Sequence, residues 1–297
     1  MTTTTKLEQL GLRQARQLVG MKAPRRMEFI AEGLPIIAAS ARSLMEASRR
    51  LDDFPREAEV LEGHAVEECA KALILIDIVR CPAKLVSSKC GPMMGWFYNH
   101  LARLIYAEVQ TGNTYSASEL QRYVDLYRPS HSLEGEISQY IIPNWELYKR
   151  EATLYADVVG NEDDEPSWNS PATMADFRAG PGKFLLTDPR AYTVVDALEA
   201  LGAFSLAGVK IIHDVWGKRD FGADPKAWEG AWDATYDMLT RLQKAGLFSV
   251  RAEDKHVTAL DRYWQKPMYF ADLSPIKVTL EDLKNLREAA FLNEMGY

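Results

Sequence analysis

The stretch Arg56 to Arg80, REAEVLEGHAVEECAKALILIDIVR, constrains this chain more than any other. At about 100° per residue, Leu61, Ala65, Ala72, Leu75 and Val79 fall on one helical face, and Glu68 sits in the middle of it. A carboxylate stands where a leucine is expected. His64 and Lys71 flank it, about one turn away on either side, so the pattern predicts a buried or half-buried polar cluster of His64, Glu68 and Lys71 inside a helical core. The run ALILIDIV is interrupted by Asp77 and falls well short of the roughly 20 apolar residues of a membrane span, which makes it core helix.

Helical spacing recurs along the rest of the chain. The set Phe29, Ile30, Leu34, Ile37, Ala41, Leu44 predicts a helix from Arg26 to Leu51, kinked at Pro35. Asp53 is a candidate N-cap and Pro55 suits the first turn of the next helix, so two long antiparallel helices are expected. Cys81-Pro82 ends the second, Gly91 and Pro92 mark a loop, and a third helix runs from Met94 to Gln110 with His100 and Arg103 on its flank. A short helix near Ser118, capped by Ser116 or Ser118, stops before Arg128-Pro129. Ser132 to Val159 keeps helical spacing across Pro143 and reads as one kinked helix. Residues 160–182, acidic and rich in Pro and Gly, read as a surface loop. Long helices follow over Arg190 to Trp216 and Pro225 to Ala245, the latter closed by Gly246. Shorter ones are expected at Ala259 to Gln265 and at Leu280 to Glu294, opened by a Thr279/Asp282 capping box. No segment alternates convincingly as a strand, and Phe248 to Arg251 is too short to build a sheet. The expected fold is all-α, with an N-terminal helical extension (1–24), a helical domain (25–182) and a C-terminal helical region (183–297) packing on it.

With 47% hydrophobic and 26% charged residues in 297, the chain has ample material for a core. A formal charge of -7 argues against broad nonspecific nucleic-acid binding and confines any RNA contact to a local basic groove. Cys69, Cys81 and Cys90 lack metal-ligand spacing, and their odd number fits a reducing compartment without disulfides. No apolar leader opens the chain and no apolar run spans a bilayer, so a cytoplasmic protein without membrane contact is expected. There is no glycine-rich phosphate loop, and His213 and Asp214, adjacent on a helix, splay apart. Neither a cofactor nor a metal site is expected.

Four segments in order, EFIAEGLPIIAASARSLMEASRRL, HAVEECAKALIL, NHLARLI and YKREATLYADVVGNEDDEPSWNSP, carry a resemblance. Together, over roughly Met27 to Pro171, they resemble the AbiV family of abortive infection proteins, a branch of the HEPN-like all-helical superfamily. The resemblance implies a HEPN-like antiparallel helical bundle, a homodimer, and a role in antiphage defence with a phage protein or RNA as partner. Many HEPN proteins are metal-independent ribonucleases that use an Arg followed a few residues later by a His. This chain departs from that pattern, because Arg150 is followed at the fifth position by Tyr155. Arg251 to His256 has the literal spacing but lies beyond the resembling region and reads as accidental.

Metal-independent RNA cleavage needs a base for the 2′-hydroxyl, a cation for the phosphate and an acid for the leaving oxygen. Arg150 is the candidate cation, and His100 or His64 the candidate proton carrier. Tyr155 can donate a hydrogen bond, but a phenol near pKa about 10 is a poor base. The polar set is completed by Arg103 and by Asp157, which with Arg150 and Tyr155 lies where a helix ends in a polar loop. The structural alternative pairs Glu68 with Lys71 or Arg150 to fix helix register. Trp228 and Trp232 read as core aromatics before a base-stacking platform. Three functions stay open: a latent ribonuclease of abortive infection triggered by a phage component, a noncatalytic module that sequesters a phage or host protein, and a housekeeping helical protein without RNA.

Overall fold

Prolines and polar caps set the helix boundaries. A computed structural model describes residues 17–134, 140–160, 166–173, 188–264 and 266–294. The first sixteen residues of the expected N-terminal extension and most of the acidic 160–182 segment therefore lie outside the described residues, whereas residues 17–20 are helical and Leu18 is buried. Helix α1 (Ala23–Ser48) runs through Pro35. Helix α2 (Pro55–Arg80) starts on Pro55, whose missing N–H costs nothing in the first turn, and Phe54 takes the cap position expected of Asp53. The two pack along each other, and from Ala72 to Arg80 every residue of α2 is buried. A helix apolar all round has to be central.

Helix α3 (Ala83–Tyr98) contains Gly91 and Pro92, which were expected in a loop. The break falls instead at Asn99, whose side chain accepts from Ala102 N–H at 2.9 Å and opens α4 (His100–Val109). The expected Met94–Gln110 helix is thus two. Helix α5 (Ala117–Asp125) is capped by Ser116.

The largest departure concerns residues 132–159. One kinked helix was expected; the structure forms a hairpin of β1 (His131–Glu134) and β2 (Tyr140–Pro143), then α6 (Trp145–Leu154), then β3 (Asp157–Gly160), which pairs antiparallel with β4 (Pro166–Asn169). Pro143 biases Ile142 toward extended backbone, and Asn144 caps α6 by accepting from Glu146 and Leu147 N–H. Its amide also donates to the carbonyls of Tyr127 and Pro129, both at 2.8 Å, which fixes where α6 begins. Among the described residues the fold is predominantly helical, with two small antiparallel sheets.

The expected Arg190–Trp216 helix divides into α7 (Arg190–Ala200) and α8 (Leu206–Trp216). Gly202 turns the chain with φ +79, where a Cβ would lie 2.2 Å from the Leu247 carbonyl oxygen. Helix α9 (Pro225–Glu229) precedes α10 (Ala231–Lys244), and Gly246, at φ +66, closes α10 as expected, with Leu247 N–H donating to the Leu242 carbonyl at 3.1 Å. Helix α11 (Asp254–Tyr263) begins earlier than expected, and α12 (Leu280–Glu294) opens on the Thr279–Asp282 box. Trp228 is buried as expected, but Trp232 is half exposed.

One apolar core runs from Leu18 to Leu273, without interruption at residue 183, and α7 and α8 pack on α1 and α2. A buried ion pair ties its parts together. Arg80 Nε donates to Asp77 Oδ1 at 2.6 Å, while Tyr106 Oη and, at 2.8 Å, Met268 N–H donate to Asp77 Oδ2. The guanidinium lies over the rings of Trp216 (4.9 Å) and Trp264 (4.4 Å). Among the described residues no helix is long and apolar enough to cross a membrane.

Candidate functional site

The carboxylate that organises α2 is Glu67, next to the expected Glu68. Glu67 is 3% exposed, and both of its oxygens are occupied. Oε1 accepts from Arg150 Nε of α6 at 2.8 Å. Oε2 lies 2.7 Å from His100 Nδ1 and 3.1 Å from Arg103 Nη1, both on α4. Burial pushes this carboxyl up, but the Arg150 hydrogen bond, the Arg103 charge and the His100 contact outweigh it and hold the group below the usual carboxylate range. Glu68 makes one of the two pairings expected of it: its half-buried side chain pairs with Lys71, whose ammonium also lies 5.7 Å from the Phe97 ring centroid, while Arg150 goes to Glu67 instead. Around Glu67 buried and half-buried residues of α2 alternate, so its apolar stripe marks one inward face, while α4 and α6 close on the next.

The structure brings Arg150, His100 and Arg103 together on one carboxylate. It does not bring Tyr155 or Asp157 to them. Tyr155 is 60% exposed and extended beyond the end of α6, and Asp157 is exposed in β3, where its Oδ1 accepts its neighbour's N–H. The departure from helix after Leu154 turns both away. His64 lies in the wall of an adjoining cavity.

His100 differs in kind from its partners. Its side chain is 51% exposed, against 10% for Arg103 and 20% for Arg150. Nδ1 lies 2.7 Å from Glu67 Oε2 and 3.4 Å from Arg103 Nη2; the shorter contact, to a carboxylate, requires Nδ1–H, and in the neutral ring of that tautomer Nε2 presents a lone pair, with no partner among the described residues. Two guanidiniums around one carboxylate leave the cluster a net positive charge. The arrangement can accept a proton at Nε2 and hold an anion beside it.

Beside the cluster, between α2 and α6, lies a cavity of about 200 Å³. Val60, Val66, Leu104 and Leu154 supply its apolar wall, and Glu59, Glu62, Glu146 and Lys149 its polar one, with Glu67 and Arg150 shared with the cluster.

A second cluster involves the spacing that read as accidental. Arg251 Nη1 lies 3.1 Å from Asp196 Oδ1, and His256 Nε2 lies 3.3 Å from Asp196 Oδ2. Arg251 and Arg42 also share Glu199. The two residues do converge, but His256 is 5% exposed and its Nδ1 already accepts Glu253 N–H at 2.9 Å. Both ring nitrogens are committed, which makes this an ion-paired clamp joining α1, α7 and α11.

Sequence reasoning missed Glu67 and the Asp77–Arg80 pair. The signal for the second was present, since an Asp and an Arg three apart inside an apolar run need each other. For Glu67 the signal was weaker: two adjacent glutamates, Arg150 offered to the other one, and His100 and Arg103 without an assigned acceptor. Comparisons with protein families, with curated proteins and with solved structures find no match to this chain.

Proposed function

We propose that this chain is an antiphage defence protein acting by abortive infection, with a HEPN-like bundle and a latent, metal-independent ribonuclease centred on Glu67. The defence role and the bundle assignment rest on the ordered resemblance between Met27 and Pro171. The chemical part rests on one observation: His100 is oriented by a buried carboxylate through Nδ1 and keeps Nε2 free at a half-exposed surface, with Arg103 on the same carboxylate oxygen. In the proposed reaction Nε2 takes the proton of a ribose 2′-hydroxyl, whose oxygen attacks the adjacent phosphorus, and the 5′-oxygen leaves with a proton from the imidazolium so formed. The guanidiniums of Arg103 and Arg150 stabilise the phosphorane's negative charge. Both are mostly covered in this state, which supports the reading that the activity is latent and waits for a phage component.

The test is incubation of purified protein with total RNA, with and without phage lysate, for the natural chain, His100→Gln and Arg150→Ala, with thermal melts alongside. Cleavage lost in His100→Gln at an unchanged melting temperature supports catalysis. No cleavage under any condition removes the enzyme reading and leaves the second, a noncatalytic module that sequesters a phage or host protein, which the partly apolar cavity beside the cluster favours. The resemblance also supports a homodimer, and light scattering during size-exclusion chromatography measures it.

A further inference from the structure

Around the end of α11 the chain buries hydrogen-bond donors without acceptors. Trp216, the last residue of α8, and Trp264, the first after α11, are 1% and 4% exposed, and the indole N–H of each has no partner among the described residues. Lys266 is 5% exposed, and its ammonium makes no hydrogen bond and no ion pair among the described residues. It sits among aromatic rings instead, 5.7 Å from the Tyr115 and Trp232 centroids and 5.9 Å from that of Trp228. Trp216, Trp264 and Lys266 line one cavity of about 10 Å³ against α10 and the end of α11. An indole N–H and an ammonium can only donate, so these three groups cannot satisfy one another. The hydroxyl of Thr235, also in the wall, is spent on the Ala231 carbonyl at 3.3 Å. Neighbouring carboxylates are engaged or wet: Glu119 accepts Tyr115 N–H at 2.7 Å, Asp77 is held by Arg80, Tyr106 and Met268, and Asp261, at the rim, is exposed. Asp77 thus balances the Arg80 charge that lies over both indoles, but nothing of opposite charge bonds Lys266. Burial pulls its ammonium below the ordinary lysine range, with Glu119 opposing.

We infer that this cavity is a binding site for a monatomic anion, a halide such as chloride, held by the ammonium of Lys266 and the indole N–H groups of Trp216 and Trp264. Donor chemistry sets the class, because three buried donors without an acceptor need one. Charge sets the sign: beside an unpaired ammonium an anion is held more strongly than a neutral acceptor. Size sets the limit. At about 10 Å³ the cavity has room for roughly one water-sized sphere, so it excludes phosphate, carboxylates and nucleotides. An ion there would tie the end of α8 to the segment after α11, next to the Arg80 pair. The site shares no side chain with the Glu67 cluster, and it holds whether or not RNA is cleaved at His100.

The test follows the indole N–H signals of Trp216 and Trp264 by NMR in the full chain, as sodium chloride replaces sodium gluconate at constant ionic strength. Both signals are expected to shift saturably, half-complete at about 10 mM chloride, while the indole of the exposed Trp168 stays in place. Bromide is expected to act as chloride does, and acetate and inorganic phosphate to leave both signals where gluconate leaves them. Lys266→Met keeps an unbranched stem among the rings and removes the charge, so it should weaken chloride at least about tenfold. Lys255→Met, at an exposed lysine of α11, should leave the affinity unchanged. No saturable shift up to about 300 mM chloride means that water serves the donors and overturns the inference. A larger shift with phosphate or acetate than with chloride overturns it too, since the site would then admit polyatomic anions. So would an undiminished chloride affinity in Lys266→Met. The anion series on the natural chain keeps the test decisive if that variant fails to fold.

Discussion

Glu67 and Glu68 are neighbours on one helix with opposite fates, and the difference is measurable. Glu67 is buried with Arg150, Arg103 and His100 on its two oxygens; Glu68 shares a partly exposed pair with Lys71. Removing one member of a buried ion network leaves charge unpaired and costs about 3–5 kcal/mol, whereas an exposed pair is worth about 0–1 kcal/mol. Glu67→Gln is therefore expected to lower stability by several kcal/mol in urea unfolding at pH 7, and Glu68→Gln by no more than about 1 kcal/mol. The pH dependence has a definite sign. The folded carboxyl of Glu67 sits below its unfolded value, so its contribution is complete above about pH 4.3 and is lost as pH falls through the folded value. The natural chain and Glu67→Gln should differ widely at pH 7 and converge in acid. Asp77 runs the other way: burial outweighs its hydrogen bonds and raises it, so acid favours the folded state at that position. The sequence showed that α2 carries a carboxylate inside the core. Which of two adjacent glutamates it is depends on the direction from which α4 and α6 approach, and a single helix's periodicity does not contain that direction.

At the scale of elements, helix existence was readable and helix division was not. Periodicity located α1, α2, α5 and α12 because each is an amphipathic or apolar pattern bounded by its own cap or proline. It merged α7 with α8 and predicted a single helix over residues 132–159, because the apolar spacing continues across turns decided by other parts of the chain. At Gly202 the deciding group is the Leu247 carbonyl, distant in sequence. Two glycines with positive φ separate the effects. Gly246→Ala meets open space and is expected to cost about 1 kcal/mol for the left-handed backbone alone. Gly202→Ala adds a collision with Leu247 backbone and should cost clearly more, read as the difference in urea midpoint between the two variants. Asn144 sets the other division. Its side chain satisfies two N–H groups of α6 and two carbonyls of the preceding loop, so Asn144→Ala should exceed the typical cap loss of about 1 kcal/mol. Since α6 carries Arg150, the same variant should loosen the Glu67 cluster, seen as faster hydrogen exchange in α6 than in α1.

The whole molecule turns on Arg80. Its guanidinium comes from the end of α2, stacks on Trp216 and Trp264 from beyond residue 183, and shares Asp77 with the Met268 backbone and with Tyr106 of α4. The sequence suggested a boundary near 182 from an acidic Pro/Gly-rich stretch, a sound signal for a loop. A loop is a domain boundary only if few contacts cross it, and here the apolar core continues from α1 and α2 into α7 and α8. Two measurements follow from this continuity. Far-UV circular dichroism and tryptophan fluorescence should give coincident unfolding transitions, because one core melts once. A chain ended at residue 182 should fail to unfold cooperatively, since it strands the Asp77–Arg80 pair without Met268, Trp216 and Trp264 and bares the apolar faces that α7 and α8 cover. Arg80→Lys tests the pin itself: it keeps the charge but loses the planar stacking and the fork geometry, so it should lower the common midpoint by about 2 kcal/mol or more while leaving the two transitions coincident. Two separated transitions in the natural chain would instead make residues 25–182 and 183–297 independent folding units.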